Sequence, residues 1–285
     1  MTAAEAVFVS QVPVARGRTG SGAGTVGRIA GYQARDIARS RWIVGYALFF
    51  LAVTEGLLRF AGGDARAILS LSTIVLYVVP LMSLVFGSVS FYNAREFVAL
   101  LLAQPVRRGP LFAGLYLGLT LPLAGAVVAG VVVPFAFHGF DDAAQRAMLA
   151  VLLGAGVALT AIFVAIAFCV ALQCDDRLKG LAATIGVWML GAVVYDGLVM
   201  AAVAAFADYP LERAMLVFTL ANPIDLARIV LLLQLDVSAL MGYTGAIFQQ
   251  FLGGAIGSMV ASAALMLWLG VPLSLGVRWF GRKDF

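Results

Sequence analysis

From Trp42 onward the chain alternates long apolar runs with short polar stretches. The runs Trp42–Phe60, Ile68–Ser90, Leu111–Phe137, Ala147–Leu172, Leu181–Ala207 and Leu252–Val277 each reach the roughly 20 residues that a helix needs to cross a bilayer. Ahead of them, Ile29–Trp42 interleaves apolar residues with Arg35, Asp36, Arg39 and Arg41. This pattern predicts an amphipathic helix along the membrane surface, with Trp42 as interface anchor. Residues 1–27 carry Gly, Ser, Thr and Ala without a helical period and read as a flexible tail. Between the fifth and last runs, Asn222 is placed as an N-cap, Pro223 at the first helical position and Asp225 at the third. The helix they open, about 12 residues to Leu235, is too short to span and is predicted to lie in the outer interface or dip into it. No internal repeat is visible, which argues against an inverted-repeat carrier.

Composition sharpens this picture. The chain is 62% hydrophobic and 12% charged, against about 25% charged residues in a soluble domain. Its net charge of +4 matters by position. Of the 19 lysines and arginines, 14 fall in the N-terminal segment, the second and fourth loops and the C-terminal RWFGRKDF, and 5 in the alternate loops. That asymmetry predicts that both termini are cytoplasmic, and it removes any reason to read the basic residues as a nucleic-acid surface. Two cysteines (Cys169, Cys174) and one histidine (His138) make no metal motif or disulfide framework. No removable signal peptide is expected, because the first apolar run starts late and lacks a small-residue cleavage pattern. The predicted fold is an all-α membrane protein of six transmembrane helices. To these are added an amphipathic N-terminal interfacial helix, a short cytoplasmic helix in the second loop and an external helix before the last span.

The second loop carries the most information. Arg95 and Glu96 precede an apolar face of Phe97, Leu100 and Leu101, and Pro105, Arg107, Arg108 and Gly109 then break the pattern. A short surface helix ended by proline and glycine suits docking to a partner, while the arginines alone also obey the positive-inside rule. The stretch LLLAQPVRRGPLFAGLYLG, Leu100–Gly118, resembles the first cytoplasmic loop of ABC-2 type permeases, where a coupling helix sits on the ATPase subunit. IAGYQARDIARSRW is similar in spacing to the interfacial helix that opens such permeases. NPIDLARI and LAATIGVWMLGAVVYDGLVM resemble, more narrowly, the permease subunit of the nitrous-oxide-reductase maturation transporter, a copper-processing system. Gln33, YNAREFVAL and Leu115 depart from the usual family residues.

The resemblance implies that residues 28–285 form one permease domain, with residues 1–27 a cytoplasmic tail, in a bacterial inner membrane. It implies a second copy of the chain and two ABC ATPase subunits as partners, with a periplasmic repeat protein as a further one. No GxxxxGK[ST] occurs, so the chain is not expected to be an enzyme, and ATP and Mg2+ belong to the partner ATPase. The coupling set that follows is Arg95, Glu96, Leu100, Leu101, Pro105, Arg107 and Arg108, with Asp175, Asp176 and Arg177 of the CDDRLKG turn as a second contact. The function implied is that of a permease subunit, coupling ATP hydrolysis elsewhere to translocation or force transfer for maturation of a periplasmic copper enzyme. An exporter of drug, lipid or polysaccharide is the alternative, and a proton-coupled carrier using Asp196 and Glu55 a more distant one.

Within the spans, Asp196 is the residue whose cost demands a role. No lysine or arginine lies centrally in another span, so a wet or protonated aspartate is expected rather than a buried salt bridge. Met189 and Met200, 7 residues before and 4 after it, should share its helix face and extend a candidate pathway. Thioethers suit Cu(I), but methionine also fills apolar gaps, and no metal site is assigned. Glu55 is four residues before Arg59, which reads as a pair snorkelling to the interface or as a pathway residue. Gly114/Gly118 and Gly253/Gly257 are close-approach motifs that serve either folding or subunit contact.

Overall fold

The computed structural model describes residues 22–60, 64–102, 107–139, 143–206, 212–234 and 255–283. The elements are α1 (Gly22–Ala38), α2 (Arg41–Phe60), α3 (Asp64–Leu102), α4 (Arg108–His138), α5 (Ala143–Gln173), α6 (Arg177–Met189), a π-turn (Leu190–Val194), α7 (Tyr195–Ala205), α8 (Glu212–Leu220), α9 (Pro223–Gln234) and α10 (Ala255–Arg282). Among the described residues, six helical stretches are long and apolar enough to cross a membrane: α2, Arg66–Leu102 within α3, α4, α5, the run from Arg177 to Ala205, and Met259–Arg282 within α10. They fall on the six predicted runs.

Two boundaries differ from expectation. α1 begins at Gly22, inside the stretch read as tail. The predicted separate helix of the second loop does not exist as such: α3 runs unbroken for 39 residues, about 58 Å, nearly twice the hydrocarbon thickness. The polar residues from Asn93 onward mark where this helix leaves the membrane, because polarity ends a span without ending a helix whose residues keep good helical propensity. Pro105 lies outside the described residues.

α5 is the central helix. It packs against α3, α4, α9 and α10, and Leu159, Ile162, Val164, Ala165, Ala167 and Ala171 on it are fully buried. α3 comes so close that a Cβ added to Gly87 would lie 2.5 Å from that of Ala167, the small-residue contact by which membrane helices gain packing without a hydrophobic driving force. At the end where α5 finishes, Phe168 meets Phe91, Phe112 and Tyr116 at ring distances of 5.2, 5.8 and 6.3 Å, and Phe112 meets Phe280 at 5.5 Å. Four helices are tied there by one aromatic cluster.

The glycine motif of α4 has a definite partner within the chain. A Cβ on Gly114 would lie 2.8 Å from Ile29, and one on Gly118 2.8 Å from Gln33, so the pair is the seat of α1. Further along, Gly130 receives Phe50 of α2. Gly257 is buried, and Gly253 lies outside the described residues. α9 begins as predicted, with the Asn222 Oδ1 accepting the Ile224 amide at 3.0 Å. It does not lie flat on the bundle: Ile224, Leu226, Ala227, Ile229 and Leu231 are buried, and α9 packs between α5 and α10.

Candidate functional site

Functional side chains gather at two levels, about 27 Å apart along α3, a distance set by the 18 residues between Tyr77 and Arg95. At the first level the Arg228 guanidinium donates to Asp225 Oδ1 at 2.8 Å, to the Tyr77 hydroxyl at 2.9 Å and to Asp196 Oδ2 at 3.2 Å. Tyr77 in turn donates to Asp196 Oδ2 at 3.1 Å. Asp196 is therefore paired, contrary to expectation. Its base comes from α9, which joins no span but folds back into the bundle, so an inventory of the spans alone could not supply it. Burial pushes the Asp225 carboxyl up to about 6 against the pull of Arg228. Burial also works against the Arg228 charge, but Asp225 and Asp196 outweigh it and the guanidinium titrates above its ordinary value. One cation thus holds two carboxylates and a phenol in a single network.

The π-turn lies beside this network. Its wide register shows in the Tyr195 amide bonding to Leu190 O, five residues back. Such a turn carries one residue more than an α turn and rotates everything after it by about 100°. Met189 consequently does not share the face expected of an unbroken helix, whereas Asp196 and Met200, both after the turn in α7, keep their i, i+4 spacing; both methionines are exposed on the outside of the bundle. The turn also lines a cleft of about 220 Å3 among Phe163, Val187, Leu190, Tyr195, Asn222 and Trp268. Tyr77 and Arg228 escaped the sequence reading because a tyrosine in an apolar run and an arginine in a loop helix carry no mark of meeting.

At the second level the C-terminal ends of α5 and α10, which leave carbonyls without partners, converge. Arg95 of α3 donates to Ala171 O, Cys174 O and Asp175 O at 2.9, 2.7 and 2.8 Å, and its guanidinium stacks 4.5 Å from the Tyr92 ring centroid. Tyr92 donates to Cys174 O at 2.9 Å and lies over Gly180, where a Cβ would collide with its ring. Arg108 donates to Gly281 O and Lys283 O at 3.1 and 2.8 Å, while Lys283 bonds Leu172 O and Asp175. Cations at helix C-termini satisfy orphan acceptors and the dipole together. The bond and charge of Lys283 hold the Asp175 carboxyl below its ordinary 3.8.

The structure thus joins Arg95 and Asp175, and sets Arg108 one lysine away from them. Asp176 caps α6, accepting the Leu178 amide at 2.8 Å. Glu96, Leu100, Arg107 and Arg177 are exposed, and Leu101 is half-buried. Glu55 is apart from both levels: it accepts from Arg59 at 2.6 Å, with His138 3.7 Å away. Among the described residues no group of three or more His, Cys, Asp or Glu is placed to hold a metal ion.

Among the described residues, six apolar helices, an N-terminal helix seated on the third span and a basic end stapled through carbonyls form the frame. The sequence pattern of the ABC-2 family transporter proteins matches residues 33–285 of it. The chain belongs to the ABC-2 transporter family. Two relatives are each described as a probable ABC transporter permease protein NosY. That of Pseudomonas aeruginosa is 24% identical over 280 residues, covering 90% of this chain and 97% of the relative. That of Stutzerimonas stutzeri is 26% identical over 278 residues, covering 90% and 98%. This ABC-2 permease is accordingly a multi-pass membrane subunit of an ABC transporter.

Proposed function

We propose that the permease works as two copies joined to two cytoplasmic ATPase subunits, which bind ATP and Mg2+ and drive it between states. The basic end is then cytoplasmic, as the positive-inside rule requires, in a bacterial inner membrane. The observation that carries this reading is the continuity of α3. Its last turns project well beyond a span, with Glu96 and Leu100 exposed, while Arg95 and Tyr92 fasten the same turns to the α5–α6 turn. A push on the projecting end therefore reaches two spans directly. On the narrower resemblance, the cargo is copper- or sulfur-related and serves a periplasmic enzyme, with a periplasmic repeat protein as the receiving partner.

Arg108 is occupied by carbonyls of the C-terminal segment, so the docking test is best made on Leu100 and Arg107. Co-expressed with an ABC ATPase subunit that copurifies with the natural chain, the Leu100→Glu, Arg107→Glu variant is expected to insert normally while losing ATPase binding at least tenfold, since a buried docking contact and a reversed charge are each worth a kcal/mol or more. Copurification and ATPase rate unchanged in this variant would overturn the docking assignment. Failure of the natural chain to copurify with any ATPase would overturn the whole reading.

A further inference from the structure

A π-turn is rare because its hydrogen bonds are poorer than those of an α-helix, and where one persists something outside the helix holds it. Here the holder is visible. Before the turn, Trp188 Nε1 donates to the backbone carbonyl of Tyr77 at 3.0 Å. After it, Asp196 accepts from the hydroxyl of the same Tyr77. Inside it, Asn222 Nδ2 donates to Gly191 O at 2.8 Å, satisfying a carbonyl that an α register would have bonded to the Tyr195 amide. One residue of α3 grips the fifth span on both sides of its extra residue, and the N-cap of α9 occupies the carbonyl between. Pro80, three residues after Tyr77 inside α3, cannot donate to the Leu76 carbonyl, which gives α3 its own point of bending beside the grip.

The geometry points to Tyr77 as a register lock: it holds the fifth span in the π form, and its release lets the turn pass to α and swings α7, with Asp196, away from Arg228. The two forms differ by one residue of register. That is a rotation of about 100° and a shift of about 1.5 Å, so a side chain at the surface of α7 moves by about 8 Å. The groups that must part are Tyr77 of α3, Gly191 of the turn, Asp196 of α7, and Asn222 and Arg228 at the cap and first turns of α9. Because Gly191 has nothing within 4 Å of where a Cβ would stand, the turn has space to reorganise.

The test uses the full chain in lipid nanodiscs, diluted with unlabelled chain, with spin labels replacing the exposed Met200 of α7 and Leu121 of α4. The natural sequence is expected to give one distance. Tyr77→Phe, which removes the hydroxyl grip, and Trp188→Phe, which removes the carbonyl one, are each expected to add a second population displaced by about 8 Å. Deleting Val193 removes the extra residue and leaves no second register. In that background the same two substitutions are expected to leave one distance. The deletion is made in parallel at Val194, so that one poorly inserting variant leaves the comparison intact. A distance unmoved by both substitutions would overturn the lock, and so would a shift that persists in the deletion background, because a merely structural role for Tyr77 loosens both chains alike. The readout requires no ATPase and stands apart from the docking test above.

Discussion

Arg95 and Arg228 each donate to three acceptors. Arg95 satisfies three carbonyls around the end of α5. Its replacement by Met keeps the aliphatic stem but strands those acceptors, and is expected to lower stability by about 2 kcal/mol, in the range for hydrogen bonds to a charged group. Thermal unfolding in detergent checks this, with Arg95→Lys recovering part of the loss. For Asp196 and Arg228 the relevant quantity is coupling. Asp196→Asn and Arg228→Gln should each destabilise, and the double variant should lose about 1–2 kcal/mol less than their sum, because each single change leaves a charge behind. Asp196→Leu, which removes both the charge and the acceptor of Tyr77, is expected to be the worst of the set. A third tie has a pH dependence. Lys283 depresses the Asp175 carboxyl in the folded chain, so the tie contributes above the ordinary carboxylate value near 4 and fades as pH falls through the folded one. The difference in melting temperature between the natural chain and Lys283→Met should accordingly hold down to about pH 4 and shrink as the pH is taken further below it.

At the scale of elements, α1 and α4 make the sharpest claim. Ala30 is buried beneath the α1–α4 contact, and Gly114 faces Ile29 with no room for a side chain. Gly114→Leu should therefore lift α1, and a cysteine at Ala30 should change from unreactive to rapidly labelled. Labelling at the same slow rate in both backgrounds would show that α1 is held elsewhere. Six spans could be drawn from hydropathy because each needs only length and apolar content, and the start of α9 from Asn222 and Pro223 because a cap is a local device. What lay beyond the sequence was non-local or had no compositional mark. α3 passes through the polar region as one helix because nothing between Asn93 and Leu102 breaks it. The π-turn at Leu190–Val194 uses the same residue types as the α-helix around it. Arg228 could be assigned to Asp196 only once α9 was seen to fold into the bundle.

For the whole molecule, the asymmetry of charge predicts one orientation. With the basic end cytoplasmic, a cysteine at Lys179 should react with an impermeant thiol reagent only after the membrane is opened, and one at Arg146, on the other side of α5, should react in intact spheroplasts. The opposite pattern would invert the molecule and move the docking surface to the wrong compartment. Between the levels runs α3, with Tyr77 toward one end and Arg95 toward the other, so under the proposed docking a push at the basic end would be delivered beside the π-turn.

The seating of α1 on Gly114 and Gly118 also bears on how the chain is made. α1 leaves the ribosome before α4, which carries its seat and follows only after two further spans, α2 and α3, have been synthesised. Until then α1 must wait at the lipid surface, where an amphipathic helix can rest, and it locks down only when the third span arrives. A nascent chain stopped after α3 should therefore carry α1 loosely on the bilayer and release it to carbonate extraction or protease, and one stopped after α4 should protect it. The glycine pair is in this sense a checkpoint in biogenesis, closing the N-terminal half of the bundle before the fourth span is made.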